Sequence, residues 1–146
     1  MSAVFEKGGI RFQYPENWSI AEEDFIELPQ TVSLQVPQGG LWSLTVYEPN
    51  ADPTTLLRET LDQMRKEYAD LESSTIVEQL EGVSATGHEM YFYCLDFLVC
   101  ARSLALRTRQ GKVLLLLWQA EDRDFATYEP VFRAITVSLL RESPAA

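Results

Sequence analysis

The chain has one histidine and two cysteines, the residue types from which a thiol enzyme is built. A cysteine nucleophile needs a histidine within hydrogen-bond reach to take its proton. His88 and Cys94 fall six residues apart on one predicted strand, which separates them by about 20 Å along that strand. A predicted turn at Phe97 places Cys100 beside Cys94, so Cys100 is no closer to the histidine. The spacing therefore provides no Cys–His pair, and we predict no catalytic residues.

The same turn sets Cys94 and Cys100 directly opposite each other, with their Cβ atoms about 5 Å apart. Two states fit this geometry, namely a strained disulfide or redox switch and a pair of reduced thiols. The first residues lack the basic-then-apolar order of a secretion signal. We therefore expect a cytoplasmic protein, in which thiols stay reduced.

The acidic, histidine and cysteine residues do not follow the spacing of a known type of metal site. One histidine and two cysteines lack the paired spacing of a zinc site. Acidic residues cluster at 22–24 and 121–124, but neither run matches the Asp-x-Asp-x-Asp-Gly pattern of a calcium loop. Gly8-Gly9 and Gly39-Gly40 lack the Lys-Ser or Lys-Thr that completes a phosphate-binding loop. We predict no metal ion and no cofactor.

The net charge is strongly negative, with 12 Lys and Arg residues against 22 Asp and Glu residues, or −10. Such a chain repels nucleic-acid phosphates and anionic lipid surfaces. The longest apolar run, Val113 to Trp118, is too short to span a bilayer. We therefore expect neither nucleic-acid binding nor membrane insertion, and a preference for basic or apolar partner segments.

Alternating apolar and polar residues, separated by Gly, Pro and Asn turns, predict a chain rich in strands. The predicted strands are Val4–Glu6, Ile10–Tyr14, Trp18–Ala21, Thr31–Val36, Leu41–Tyr47, Thr75–Leu80, Thr86–Leu95, Val99–Arg109 and Lys112–Ala120. Val113 to Trp118 is apolar on both alternating faces, which is typical of a central strand covered on both sides. Without repeats or linkers, residues 1–141 are assigned to one domain and residues 142–146 to a frayed tail.

Two amphipathic helices are predicted to cover the sheet. Asp52 is a suitable N-cap, and Pro53 suits the first turn of a helix whose apolar residues recur at spacings of three and four. A second apolar stripe begins at Phe125. Because a proline is tolerated in the first turn but not deep inside a helix, Pro130 places the start of this helix near Thr127.

The predicted turn between the two longest strands also assigns their side chains to faces. One face carries His88 with Arg102, and the other sets Tyr91, Tyr93 and Leu95 against small residues. The small residues are Val99, Ala101, Ser103 and Ala105. The tyrosines line either a binding groove or a sheet surface that a helix covers. Because interfaces are enriched in Tyr and Trp, we take Tyr91, Tyr93 and Trp42 as candidate partner-binding residues.

The segment Gly9 to Trp18 reads Gly-Ile-Arg-Phe-Gln-Tyr-Pro-Glu-Asn-Trp, which resembles the aromatic-x-Tyr-Pro-x-x-Trp opening of PsbP-like and Ran-binding Mog-type domains. The helix after Asp52-Pro53, the Glu81-Gly82 turn and the ending from Phe125 to Ser138 are also similar to that superfamily. The resemblance implies an α+β fold, with an antiparallel sheet of about six strands sandwiched between helices. Its members are mostly not enzymes, and include photosystem accessory proteins, a Ran-binding factor and cytosolic chaperones that load effectors for type VI secretion.

The residues and the resemblance leave two functions open. The first is a non-catalytic cytoplasmic accessory or chaperone-like protein that binds a protein segment, or a second copy of itself, on its sheet or along an edge strand. The second is a small-ligand-binding or enzymatic module with a pocket near His88, Glu89 and Arg102. The two differ in whether those three side chains converge in one pocket.

Overall fold

Nine strands and two helices account for most of residues 1–22 and 27–146, which are the residues described by this computed structural model. The strands are β1 (Ser2–Lys7), β2 (Ile10–Pro15), β3 (Ser19–Glu22), β4 (Gln30–Val36), β5 (Gly40–Tyr47), β6 (Glu72–Leu80), β7 (Val83–Cys94), β8 (Phe97–Arg107) and β9 (Val113–Glu121). The helices are α1 (Pro53–Glu67) and α2 (Asp122–Glu142). The acidic run at 22–24 lies partly outside the described residues.

Seven of the strands form one antiparallel sheet in the order β3-β4-β5-β9-β8-β7-β6, while β1 and β2 form a separate hairpin. The expectation of about six strands was therefore too low, because the short strand β3 also pairs with β4. Strand β9 is the fourth of the seven strands. The central position predicted from Val113 to Trp118 is confirmed, and the α+β class with it.

The two helices cover opposite faces of this sheet. Helix α2 and strand β2 pack over one face, where Phe12 lies 4.8 Å from Trp42 between ring centroids. Helix α1 covers the other face, mainly over β7, β8 and β9, and there Tyr68 stacks on Phe92 at 4.2 Å. No helix in the described part of the chain has the length and apolarity needed to cross a bilayer.

Helix α1 begins where the sequence predicts. Asp52 is its N-cap and Pro53 its first residue. The Asp52 carboxylate accepts a hydrogen bond of 2.7 Å from the Thr55 hydroxyl, and this bond holds the carboxylate pKa below its ordinary value. Leu57 and Leu61 point into the core from the helix face predicted by the apolar spacing.

Helix α2 is longer than the sequence predicts, because it starts at Asp122 rather than near Thr127. Pro130 therefore lies inside the helix, where it removes one backbone hydrogen bond. Pro130 and Ala126, the residue whose carbonyl loses its partner, are both exposed, so water can hydrogen-bond that carbonyl. Burial of Phe125 in the additional turns compensates for the loss.

The C-terminal residues pack against strand β2 instead of fraying. The buried Ser143 hydroxyl accepts a hydrogen bond of 2.8 Å from the Arg11 amide and donates one of 2.9 Å to the Arg11 carbonyl. The Ala145 amide donates to the Gly9 carbonyl at 3.0 Å, and Glu142 still belongs to α2. The frayed tail expected at 142–146 is therefore wrong, since backbone pairing holds a segment that has little apolar surface.

Candidate functional site

The turn between β7 and β8 decides which side chains meet on the sheet. Cys94 pairs with Phe97, so the turn consists of Leu95 and Asp96, both with positive φ, 49° and 70°. The turn predicted at Phe97 is therefore wrong, and the register between β7 and β8 differs by three residues. Because an odd shift exchanges the faces of one strand relative to the other, Tyr91 now pairs with Cys100.

The corrected register separates residues that the sequence analysis had placed together. Cys94 and Cys100 lie on opposite faces of the sheet, and both are free thiols. A disulfide between them is therefore excluded in this fold. His88 pairs with Ser103, so its side chain lies on the face opposite to that of Arg102. A single pocket containing His88 and Arg102 does not form, nor does a pair of His88 with the Cys100 thiol.

Arginine and glutamate side chains form a half-buried cluster between the sheet and α2. This Arg–Glu cluster consists of Glu78, Glu89, Arg102, Glu129 and Arg133, with side chains 21–32% exposed. Arg102 lies 2.9 Å from Glu89, 3.4 Å from Glu129 and 3.7 Å from Glu78. Arg133 lies 2.9 Å from Glu78 and 2.6 Å from Glu129. With three carboxylates and two guanidinium groups, the cluster carries one excess negative charge.

The two guanidinium groups of this cluster pack on aromatic rings of the core. The Arg102 guanidinium lies 5.1 Å from the centre of the Phe125 ring, and that of Arg133 lies 5.5 Å from the Trp118 ring. Both distances are within the range of a cation–π interaction. Hydrogen bonding to Glu78 is the main cause that raises the pKa of Arg133. The cluster therefore joins α2 to β6, β7 and β8 by ion pairs that are only partly open to solvent.

The three candidate partner-binding residues have different surroundings. Trp42 is fully buried, and its indole N–H donates to Thr136 Oγ1 at 3.0 Å, so it cannot contact a partner. Tyr91 is half-buried and its hydroxyl donates to Glu89 Oε1 at 3.0 Å, a bond that raises the tyrosine pKa. Tyr93 is 65% exposed. Tyr93 is therefore the one of the three whose ring is mostly open to solvent.

Tyr93 belongs to a group of exposed apolar side chains at the β7–β8 turn, which we call the apolar tip. It consists of Tyr93, Leu95, which is 87% exposed, and Phe97, which is 54% exposed. Leu95 combines this exposure with a left-handed backbone conformation that favours Gly or Asn. Both properties are unfavourable in an isolated protein.

A groove runs along each side of the apolar tip. The first has a volume of about 570 Å³ and is lined in part by Val36, Leu41, Leu95, Phe97 and Gln119. The second has a volume of about 550 Å³ and is lined by Asp70, Glu72, Tyr91, Phe92, Tyr93 and Leu98. We call this second one the acidic groove, because it holds two carboxylates beside two tyrosines.

His88 lies under α1, at a third cavity of about 420 Å³ that includes Arg58, Asp62 and Arg65 in its lining. Its Nδ1 is buried and has no hydrogen-bond partner among the described residues. Burial is the main cause that lowers the His88 pKa, and the charge of Arg65 lowers it further. Among residues 1–22 and 27–146, no three His, Cys, Asp or Glu side chains are placed to hold a metal ion.

Comparison with solved structures defines the fold. The solution structure of cyanobacterial PsbP (CyanoP) from Synechocystis has a TM-score of 0.61 and 13% identity, over 94% of this chain and 90% of that one. This chain has a PsbP-like fold. LpqN of Mycobacterium tuberculosis, involved in cell envelope biogenesis, has a TM-score of 0.53 and 17% identity, over 92% of this chain and 87% of LpqN.

A protein of unknown function from Pseudomonas aeruginosa shares the fold as well. Its crystal structure has a TM-score of 0.54 and 11% identity, over 94% of this chain and 95% of that one. No family model matches the chain, and no curated protein matches it in sequence. At these identities the likeness extends to the PsbP-like fold and not to individual functional residues.

Sequence reasoning placed Leu95 on the face of the tyrosines but named neither Leu95 nor Phe97 as a binding residue, and it missed three residues of the Arg–Glu cluster. Leu95 and Phe97 were hidden because Leu-Asp is not a dipeptide that indicates a tight turn. For the cluster, a signal was present at Glu129 and Arg133, which are spaced four apart on one helix face. Glu78 was a second signal, because it occupies a strand position where the alternation predicts a side chain turned toward the core.

Proposed function

We propose that this chain is a non-catalytic, chaperone-like accessory protein of the cytoplasm that binds a segment of another protein at its apolar tip. The observation that carries the proposal is that Tyr93, Leu95 and Phe97 lie at one end of the sheet, each more than half exposed. Tyr93 and Phe97 are on opposite faces, and Leu95 lies in the turn between them. Large exposed apolar and aromatic side chains at one end of a sheet are typical of protein–protein contacts.

Leu95 supports a binding role most strongly. A left-handed conformation is unfavourable for a residue with a Cβ by about 1–2 kcal/mol, and Gly or Asn at this position would avoid that cost. Burying such a side chain against a partner contributes about 1.5–3 kcal/mol. The leucine is therefore unfavourable in the free protein and favourable in a complex, which is the pattern expected of a binding residue.

The remaining parts of the proposal have separate support. Unpaired thiols on opposite sheet faces suit a reducing compartment such as the cytoplasm. An accessory role agrees with the similarity in fold to PsbP and to LpqN, a protein involved in cell envelope biogenesis. The geometry of the site gives no support to thiol catalysis, since neither cysteine lies beside His88.

The cavity at His88 favours a small-ligand site as a second candidate function. Its Nδ1 is buried and faces no donor or acceptor in the described part of the chain. A ligand hydroxyl or amide in the cavity between α1 and β7 would supply that partner. This site contains neither Glu89 nor Arg102, so it differs from the pocket expected from the sequence.

Capture of partners by tagged protein from native lysate tests the first candidate. The variant carries Leu95→Asn and Phe97→Ser, and the matched control carries Val4→Ser, which removes an exposed apolar side chain from strand β1. We expect a recurrent partner that the control retains and the tip variant loses, while both stay folded. Retention of the same partner by both variants would refute the role of the tip.

A further inference from the structure

Strand β6 is the edge of the seven-stranded sheet, and its outer backbone groups have no strand partner among the described residues. It is nine residues long, Glu72 to Leu80, and contains no proline, lysine or glycine. Natural sheets protect exposed edges with proline, with lysine and other charged side chains, with bulges or with short strands. The opposite edge, β3, has four residues in the part of the chain that the structure describes. Strand β6 is thus the longer of the two described edges, and its charges are the negative ones of Glu72 and Glu78. These charges oppose an acidic strand but not a basic one.

The two faces of β6 present different chemistry to such a strand. On the face covered by α2 lie Glu72, which is exposed, and Glu78, which belongs to the Arg–Glu cluster. On the other face Val77 is 62% exposed, with Thr75 exposed beside it. Because side chains of a strand alternate between faces, an added strand meets Glu72 and Glu78 on one side, with Ile76 between them. On the other side it meets Val77, whose neighbours on that face are polar.

The charge of this region is not neutralised within the chain. Asp70 and Glu72 line the acidic groove and form no ion pair with any described residue. The Arg–Glu cluster has three carboxylates for two guanidinium groups. A second copy of this chain would bring another −10 charge to the same edge. Charge complementarity therefore favours a basic segment over self-pairing.

We propose that β6 binds an extended partner segment as an eighth strand, with lysine or arginine side chains alternating with apolar or β-branched residues. The basic side chains face Glu72 and Glu78, and the others pack on Val77. Glu72 pairs with Tyr91 in the sheet, and the apolar tip begins two residues further along β7. A segment leaving β6 at this end passes the acidic groove and reaches the tip, so the inference rests on the proposed function and specifies its partner.

Fluorescence anisotropy with a labelled nine-residue peptide of alternating Lys and Val tests the charge requirement. We expect saturable binding that weakens with salt, and no binding of the same peptide with Glu in place of Lys. Glu72→Lys should weaken binding by about fivefold or more, whereas Glu48→Lys, which reverses an exposed charge before α1, should not change it. Equal binding of the two peptides, or no binding of either, would overturn the proposal.

Hydrogen exchange measured with and without the Lys–Val peptide tests the location. Strand addition requires slower exchange of outward-facing amides within residues 72–80, and methylation of alternate peptide nitrogens should abolish binding. Protection elsewhere without protection of 72–80 would overturn the proposal. If the tip variant loses partner capture but the Lys–Val peptide does not bind, only the proposal of an added basic strand is rejected. Peptide binding with unchanged capture would reject the tip instead.

Discussion

Tyr91 and Cys100 lie opposite each other across strands β7 and β8, on the sheet face covered by α2. This pairing follows from a two-residue turn at Leu95 and Asp96, and it determines where every side chain of the hairpin points. The Tyr91 hydroxyl donates a hydrogen bond to Glu89 on the same strand, whereas Tyr93 is 65% exposed at the apolar tip. The same hairpin thus carries one tyrosine that is hydrogen-bonded within the fold and one whose ring is mostly exposed.

The backbone of the turn predicts an effect on stability. Replacing Leu95 by Asn should raise the free energy of unfolding by about 0.5–1 kcal/mol, because Asn tolerates the left-handed conformation at this position. Urea denaturation followed by circular dichroism measures the change. A decrease would show that the leucine contributes packing within the free protein, which contradicts its assignment as a binding residue.

The Arg–Glu cluster predicts a large cost for removing one arginine. Arg102→Met leaves Glu78, Glu89 and Glu129 close together with a single guanidinium, and should lower the free energy of unfolding by about 2–4 kcal/mol. The control is Arg123→Met, because the Arg123–Glu121 pair is mostly exposed on the arginine side and should contribute less than about 0.5 kcal/mol. Similar losses in both variants would show that the cluster is no more than a surface charge network.

The Cys100 thiol predicts a dependence of stability on pH. Burial raises its pKa to about 11 from an ordinary 9.0. The unfolded chain loses this proton first, so the contribution of Cys100 to the free energy of unfolding is constant below pH 9.0 and falls between pH 9.0 and about 11. The fall should reach about 2 kcal/mol at the upper limit. Denaturation at pH 8 to pH 11 measures it.

Cys100→Ala is the matched control for that series, because it removes the thiol and leaves the other groups that titrate at high pH. The variant should show a shallower loss of stability with rising pH than the unmodified chain. Identical slopes would mean that the thiol does not stay protonated in the folded state, and that Cys100 is not buried as described.

The docked C-terminal segment predicts that its last residues contribute to stability. Ser143→Ala removes two hydrogen bonds to the Arg11 backbone and should lower the free energy of unfolding by about 1–2 kcal/mol. Hydrogen exchange of the Arg11 amide should become faster in the same variant. Ser2→Ala, which changes an exposed serine on the neighbouring strand, serves as the control. Unchanged exchange at Arg11 would contradict the docking.

Sequence patterns predicted the elements whose chemistry is local. The apolar run from Val113 to Trp118 indicated a central strand, since only burial on both faces favours such a run. Asp52 and Pro53 indicated the start of α1 because a cap acts on the adjacent turn alone. These features need no knowledge of distant contacts, and the structure agrees with them.

Features that depend on tertiary contacts could not be predicted. Alternation places Trp42 on one face of a strand but does not reveal that α2 buries that face. Pro130 argued for a shorter helix, and the burial of Phe125 outweighs it. Leu95 carries no turn signal, so the register of β7 with β8 was wrong, and with it the pairing of the cysteines and the pocket around His88 and Arg102. Turn-residue preferences fail at Leu95 because its backbone conformation is one that leucine rarely adopts.

Site-specific photo-crosslinking in cells tests the central claim that the apolar tip binds a protein segment. A photoreactive phenylalanine analogue at position 97 lies on the tip, and the same analogue at position 4 places it on another exposed apolar site. We predict a discrete crosslinked partner from position 97 that is absent from position 4 and disappears when Leu95→Asn is added. Crosslinks of the same pattern from both positions, or none from position 97, would contradict the account.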